Sequence, residues 1–214
     1  AVAAPDWVAK LVESYETHDA IAAGGKMTPR WVAGKPTFLP AEFYWLVGAT
    51  HRGFADGEGE VRNTFGSNIS FRTEVFAELG GFDPEVGGRK GNANLQGGET
   101  ELCARMRQEY GKGVWYNPDA VVEHKVFDYR TDPLWLADRA FWQGYSKRAM
   151  ETLLPETGDE EGDFLRFLFA DATPRRAREL VARPSLAALE QFVILYVFTA
   201  LVGAGYIYGV TRWS

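Results

Sequence analysis

Gly97-Gly98-Glu99-Thr100-Glu101-Leu102-Cys103-Ala104-Arg105 carries a glycine-rich loop into the start of a helix. Thr100 opens that helix, Leu102, Cys103, Met106 and Tyr110 share one of its faces, and Gly111 stops it. Two carboxylates, Glu99 and Glu101, therefore arrive at the helix start, where backbone N–H groups and the helix dipole stabilise an anion. A carboxylate in that place can accept a proton from an alcohol as the alcohol attacks an electrophile. Gly97 and Gly98 let the backbone come close to a substrate. Helix physics alone favours a plainer role, in which both acids only complement the dipole.

Working outward, the chain alternates helices with short strands, the pattern of an α/β domain. Pro5-Asp6 opens a helix with Val8, Leu11, Val12 and Tyr15 on one face. Asp19 to Ala23 reads as a strand ending at Gly24-Gly25. Residues 26–66 are poor in periodicity and rich in Pro, Gly and aromatics, which predicts a long irregular stretch. Ser67 to Phe71 alternates like a strand, and Thr73 starts a helix that ends at Gly80-Gly81. Past the acidic loop, Val114 to Tyr116 and Ala120 to Val126 read as two strands split by Asn117-Pro118. Asp132-Pro133 starts a helix with Leu134, Trp135, Phe141, Trp142 and Tyr145 on its apolar side.

The bulk composition agrees with a folded domain. The chain has 214 residues, 46% of them hydrophobic and 24% charged, which excludes a disordered chain. A net charge of −6 argues against nucleic acid as a partner. The single cysteine, Cys103, allows neither an intrachain disulfide nor a cysteine-based zinc site. The first residue is Ala1 and no signal-peptide pattern follows it, so the expectation is a piece of a longer protein.

Four segments in order give the chain a family resemblance. Gly66-Ser67-Asn68-Ile69-Ser70-Phe71-Arg72 is followed by Gly80-Gly81-Phe82-Asp83, then by the acidic loop, then by Asn117-Pro118-Asp119-Ala120-Val121-Val122-Glu123-His124. Together they resemble the second half of family-2 glycosyltransferases of the GT-A fold, including membrane-associated transferases of archaeal and bacterial surface glycans. The resemblance runs from about Ala1 to Lys147.

It implies transfer of a sugar, with inversion, from a nucleotide-sugar donor to a glycan or polyprenyl-phosphate-linked acceptor. It implies Glu99 as general base, with Glu101 beside it orienting the loop or touching the acceptor. Gly98 stands where the family usually has an acid. Asn68, Gly97 and Gly98 are the expected substrate-binding positions. His124 is the expected ligand of a divalent metal, manganese or magnesium, held mostly by a donor-binding half that lies outside this chain. Plainer readings stand beside each: a strand-edge asparagine for Asn68, a strand histidine for His124. On this view the stretch by itself is inactive. The competing reading is a membrane-tethered binding module without catalysis.

The end of the chain is apolar. Phe192 to Val210 holds no charge, about the length that spans a bilayer. Arg175, Arg176, Arg178 and Arg183 precede it and only Arg212 follows, which places the catalytic portion in the cytoplasm by the positive-inside rule. The expected organisation is a partial transferase domain over 1–150, a linker of acidic turn and basic helix over 151–185, and a membrane-associated helix over 186–214 in contact with lipid. Spanning is the favoured reading of that helix; the competing one, supported by Thr199, Gly203, Gly205 and Gly209, is a helix buried in the soluble fold or lying in the membrane interface.

Overall fold

The structure, a computed structural model, describes residues 1–90, 93–153 and 160–213. The chain forms two compact units. The first comprises 1–30, 48–50 and 55–125, and the second 31–47, 51–54 and 126–214.

The first unit is built on a sheet of β1 (Val2–Ala3), β2 (Ala22–Trp31), β3 (Gly59–Val61), β4 (Ile69–Phe71) and β7 (Val114–Val126), with strand order β1-β7-β2-β4 and β3 also on β7. Two short strands, β5 (Arg89–Lys90) and β6 (Ala93–Asn94), pair apart from it. Side chains alternate across β2 because a strand has a period of two. Ala22 packs with Val75, Cys103, Met106 and Val114, the side covered by α2 (Thr73–Leu79) and α3 (Gly98–Tyr110). Ala23 packs with Leu11, Ala120, Trp7 and Tyr15, the side covered by α1 (Trp7–Thr17). The result is a helix–sheet–helix sandwich.

Three expectations change here. Of the expected face of α1, Leu11 is buried and Tyr15 packs beside it, but Val8 and Val12 are exposed and Ser14 is buried in addition. Gly24-Gly25 does not end β2, which runs on to Trp31. Its glycines lie inside the sheet because neighbours press on both: a methyl at Gly25 would sit 2.0 Å from the Ala120 carbonyl oxygen, and one at Gly24 2.2 Å from Thr64 Oγ1. The two strands expected around Asn117-Pro118 are one, β7. Asn117 compensates for the local interruption, since its Oδ1 accepts from the Asp119 N–H and its Nδ2 donates to the Lys10 carbonyl.

The second unit is helical. It holds a 3-10 segment (Ala41–Val47), α4 (Pro133–Leu153), α5 (Glu160–Phe167), a π-helical turn (Leu168–Ala172), α6 (Thr173–Ala182) and α7 (Leu186–Val210). Asp132 Oδ1 caps α4 by accepting from the Leu134 and Trp135 N–H groups. α4 buries Leu136, Ala140, Gly144, Tyr145, Ser146, Ala149 and Met150; of the expected apolar face Tyr145 is buried and Leu134 is exposed. Glu160 to Asp163 of the expected acidic turn begin α5, while 156–159 lie outside the described residues. α7 starts at Leu186, six residues before the uncharged run, because Ser185 Oγ accepts from the Ala188 N–H and caps it. It is long and apolar enough to cross a membrane, with a mean hydropathy of 1.9.

Two features anchor this unit. Glu42 is fully buried between Arg175 and Arg176, at 2.8 and 2.7 Å. Burial pushes its carboxyl up, but hydrogen bonds from both guanidiniums outweigh it and hold the group below the usual carboxylate range. His51 lies edge-on to Phe54 and Phe164, with its Nδ1 buried and, among the described residues, without a hydrogen-bond partner. Burial, helped by the nearby Lys147 charge, lowers its imidazole to about 4.

That shift sets a pH dependence. Below the ordinary value of 6.5 the unfolded chain takes up a proton at His51 that the folded chain refuses until about 4. Stability is therefore flat above 6.5 and falls as pH drops toward 4. Between pH 6.5 and about 4.5 the expected loss from His51 alone is about 2 kcal/mol. Denaturant unfolding across this range should show the slope in the parent and a flatter profile in His51→Asn. An equal slope in both would remove His51 as its source.

Candidate active site at the start of the acidic helix

All six residues singled out by sequence lie in the first unit. α3 starts at Gly98, two residues before Thr100, and Gly97 precedes it in the left-handed region at φ 104°, where a side chain is strained. The Gly97 carbonyl accepts the Glu101 N–H at 2.9 Å. Gly97 and Gly98 thus shape the turn that delivers the two acids.

The acids then part in environment. Glu101 is buried, and both its oxygens accept from the Arg105 guanidinium one turn on. The same guanidinium donates to the carbonyls of Leu79 and Gly81, at 2.6 and 2.9 Å. Glu101 therefore ties α3 to the Gly80-Gly81 turn. Glu99 is half-buried, and among the described residues its carboxylate has no hydrogen-bond or ion-pair partner. It rests beside Gly66, where a methyl would lie 3.7 Å from Glu99 Cδ and Oε2. Gly66 is exposed, so the 66–67 turn leaves one side of this carboxylate open.

The remaining wall is polar and fixed. Asn63 Nδ2 donates to Thr100 Oγ1 at 3.1 Å, and Thr64 Oγ1 to the Asn68 carbonyl at 2.9 Å. Asn68, expected to touch sugar, is buried and turned into the protein. Its Nδ2 donates to the carbonyls of Lys26 and Ala120, and its Oδ1 accepts from Trp7 Nε1. It braces α1, β2 and β7 behind the site. A buried amide with these bonds made has little left to offer a ligand.

His124 lies near the end of β7 with its Nε2 toward Gly48, 3.3 Å from where a methyl there would sit. Among the described residues no group of three or more His, Cys, Asp or Glu side chains could hold a metal ion. The described residues therefore do not by themselves make up a complete divalent site. His18, by contrast, is stacked on Trp115 at 4.0 Å. Cys103 is buried beneath the acidic turn, and burial pushes its thiol up to about 12, which leaves it inert.

Arg105, Asn63 and Thr100 were not singled out as site residues by sequence reasoning. For Arg105 a signal existed, the i, i+4 spacing from Glu101 on one helix. For the Asn63–Thr100 pair, separated by 37 residues, none did.

The chain is 50% identical over 210 residues to the glucosyl-dolichyl phosphate glucuronosyltransferase of Haloferax volcanii. The match covers 98% of this chain and 67% of that protein. No protein-family model matches the chain. No solved structure matches it.

Proposed function

The chain belongs to the glycosyltransferase family of the Haloferax volcanii glucosyl-dolichyl phosphate glucuronosyltransferase, and on that ground we propose that it carries the base-bearing, acceptor-side half of a GT-A-type, family-2 enzyme. The reaction is transfer of a sugar from a nucleotide-sugar to a dolichyl-phosphate-linked or similar lipid-linked glycan at a membrane. The observation that carries this reading is the contrast within the acidic turn: Glu101 is bound to Arg105, while Glu99, among the described residues, stands unpaired beside an open glycine turn.

The chemistry follows from that contrast. Glu99 takes the proton of an acceptor hydroxyl as its oxygen bonds to the anomeric carbon of the donor. The bond from that carbon to the nucleotide diphosphate breaks, and the diphosphate leaves with the electron pair. Attack from the face opposite the leaving group inverts the anomeric centre. A base in this role contributes about 10² to 10⁴-fold. Glu101 and Arg105 hold Glu99 in register, Gly97 and Gly98 allow close approach of the acceptor, and Asn68 stiffens the sheet behind.

Manganese or magnesium would supply charge neutralisation at the donor diphosphate. His124 offers one imidazole toward such an ion, and the oxygen ligands would come from outside the described residues.

The positioning role separates from the chemical one by experiment. Arg105→Gln in the full-length enzyme should lower kcat by about tenfold or more while donor KM stays within about twofold, since the base is displaced and the donor site is untouched. Arg105→Lys, which keeps one charge but not the two-pronged grip, should recover part of the loss. An unchanged kcat in Arg105→Gln would mean that Glu101 and Arg105 do not hold the site.

A further inference from the structure

We propose that α7 lies in the plane of the membrane, seated in one leaflet through a single face, and does not cross the bilayer. This rests on the membrane association read above and fixes its geometry.

The exposure pattern of α7 is the first observation. One side of the helix is buried: Leu195, Phe198, Gly205 and Gly209. The opposite side is exposed and wholly apolar: Leu189, Val193, Val197, Ala204 and Ile207 recur at helical spacing. Because both sides are apolar in sequence, hydropathy alone reads the helix as a span.

The second observation is what covers the buried side. It is protein of the second unit along the whole length of the helix. Gln191 Nε2 donates to the Thr37 carbonyl and Gln191 Oε1 accepts from Arg176. Phe198 packs on Phe43. Farther on, α4 and α7 touch backbone to backbone: a methyl at Gly144 would lie 1.8 Å from the Val202 carbonyl oxygen, and one at Gly205 1.8 Å from that of Phe141. Tyr206 donates to Glu151, and Arg148 to the Trp213 carbonyl.

These contacts make crossing untenable. At about 1.5 Å rise per residue, the polar contacts at Gln191 and Tyr206 are about 22 Å apart along the helix, less than the roughly 30 Å of a hydrocarbon core. α4 is locked alongside, so a crossing α7 would carry α4 into the core as well. Asp138, which is exposed and one turn before Phe141, would enter the hydrocarbon, followed by Lys147 and Arg148. An in-plane seat asks none of this. The apolar stripe enters the headgroup–acyl boundary and the polar unit stays in water.

The flanks fit that seat and name the occupant as a lipid surface. Arg178 and Arg183 before α7 and Arg212 after it are exposed, suited to anionic headgroups. Arg212 lies over the Tyr208 ring, an amphipathic residue of the kind found at membrane interfaces. Arg175 and Arg176 are held by Glu42, so the count that favoured a crossing helix with a cytoplasmic N-terminal flank loses two of its four charges.

The test uses single-cysteine labelling in sealed phosphatidylcholine–phosphatidylglycerol vesicles loaded with the protein from outside. Arg183→Cys and Arg212→Cys, separately, are treated with a membrane-impermeant maleimide. Buried Cys103 gives a low background. The expected result is that both positions label fully from the outer side. Labelling of one position only after vesicle lysis would show that α7 crosses and would overturn the proposal. In parallel, Val193→Asp and Ile207→Asp should each weaken vesicle partitioning by about tenfold or more with the far-ultraviolet spectrum unchanged. A protein that ignores vesicles and instead self-associates through this face in sedimentation would also overturn it. Sugar transfer to a detergent-dispersed acceptor, measured on the same variants, reports separately on the transferase reading.

Discussion

Glu99→Gln in the full-length enzyme should lose about 10² to 10⁴-fold in kcat with donor affinity unchanged. The substitution keeps the shape of the side chain beside Gly66 and removes only its ability to take a proton. Nothing in the surroundings depends on the Glu99 charge for a hydrogen bond or ion pair among the described residues, so the fold should survive intact. Glu101→Gln is the informative contrast. That side chain is buried against Arg105, so its loss should appear as lowered stability together with lowered turnover. Near-normal turnover in Glu99→Gln would remove the base assignment.

Glu42→Ala should destabilise the protein by about 3–5 kcal/mol. The carboxylate is fully buried and is the shared partner of two guanidiniums. Among the described residues its removal leaves Arg176, itself nearly buried, with Glu179 and Gln191, and leaves Arg175 with the longer contact to Asp171. Breaking one member of a buried charged cluster strands the others, which costs far more than an exposed pair is worth. Denaturant unfolding followed by circular dichroism measures it. A loss below about 1 kcal/mol would mean that the arginines reach water readily once the acid is gone.

The sequence made the local pieces of the site legible and left their division of labour hidden. The glycine-rich turn into α3, its stop at Gly111 and the capped start of α4 are short-range events governed by a few neighbouring residues, and they were readable as such. The roles of Glu99 and Glu101 depend on which of them meets Arg105 and on how close Gly66 comes, and the second of these is set by chain 33 residues away. Asn68 shows the same limit. A strand asparagine beside a catalytic loop invites a substrate role, yet a tryptophan 61 residues earlier and a carbonyl 52 residues later claim its amide. Gly24-Gly25 looked like punctuation because glycine usually ends a strand. Here it is demanded by crowding from Thr64 and Ala120 across the sheet. For the apolar run at the chain end, composition records that both sides of the helix are apolar, and only the fold records that one side is covered.

The account is tested most directly by following a labelled sugar from nucleotide-sugar to a dolichyl-phosphate-linked acceptor with the purified full-length enzyme, and reading the anomeric configuration of the product by nuclear magnetic resonance. The predicted result is label in the lipid fraction with the configuration inverted relative to the donor. Label in the lipid with the donor's configuration retained, or no transfer to lipid from any nucleotide-sugar, would contradict it.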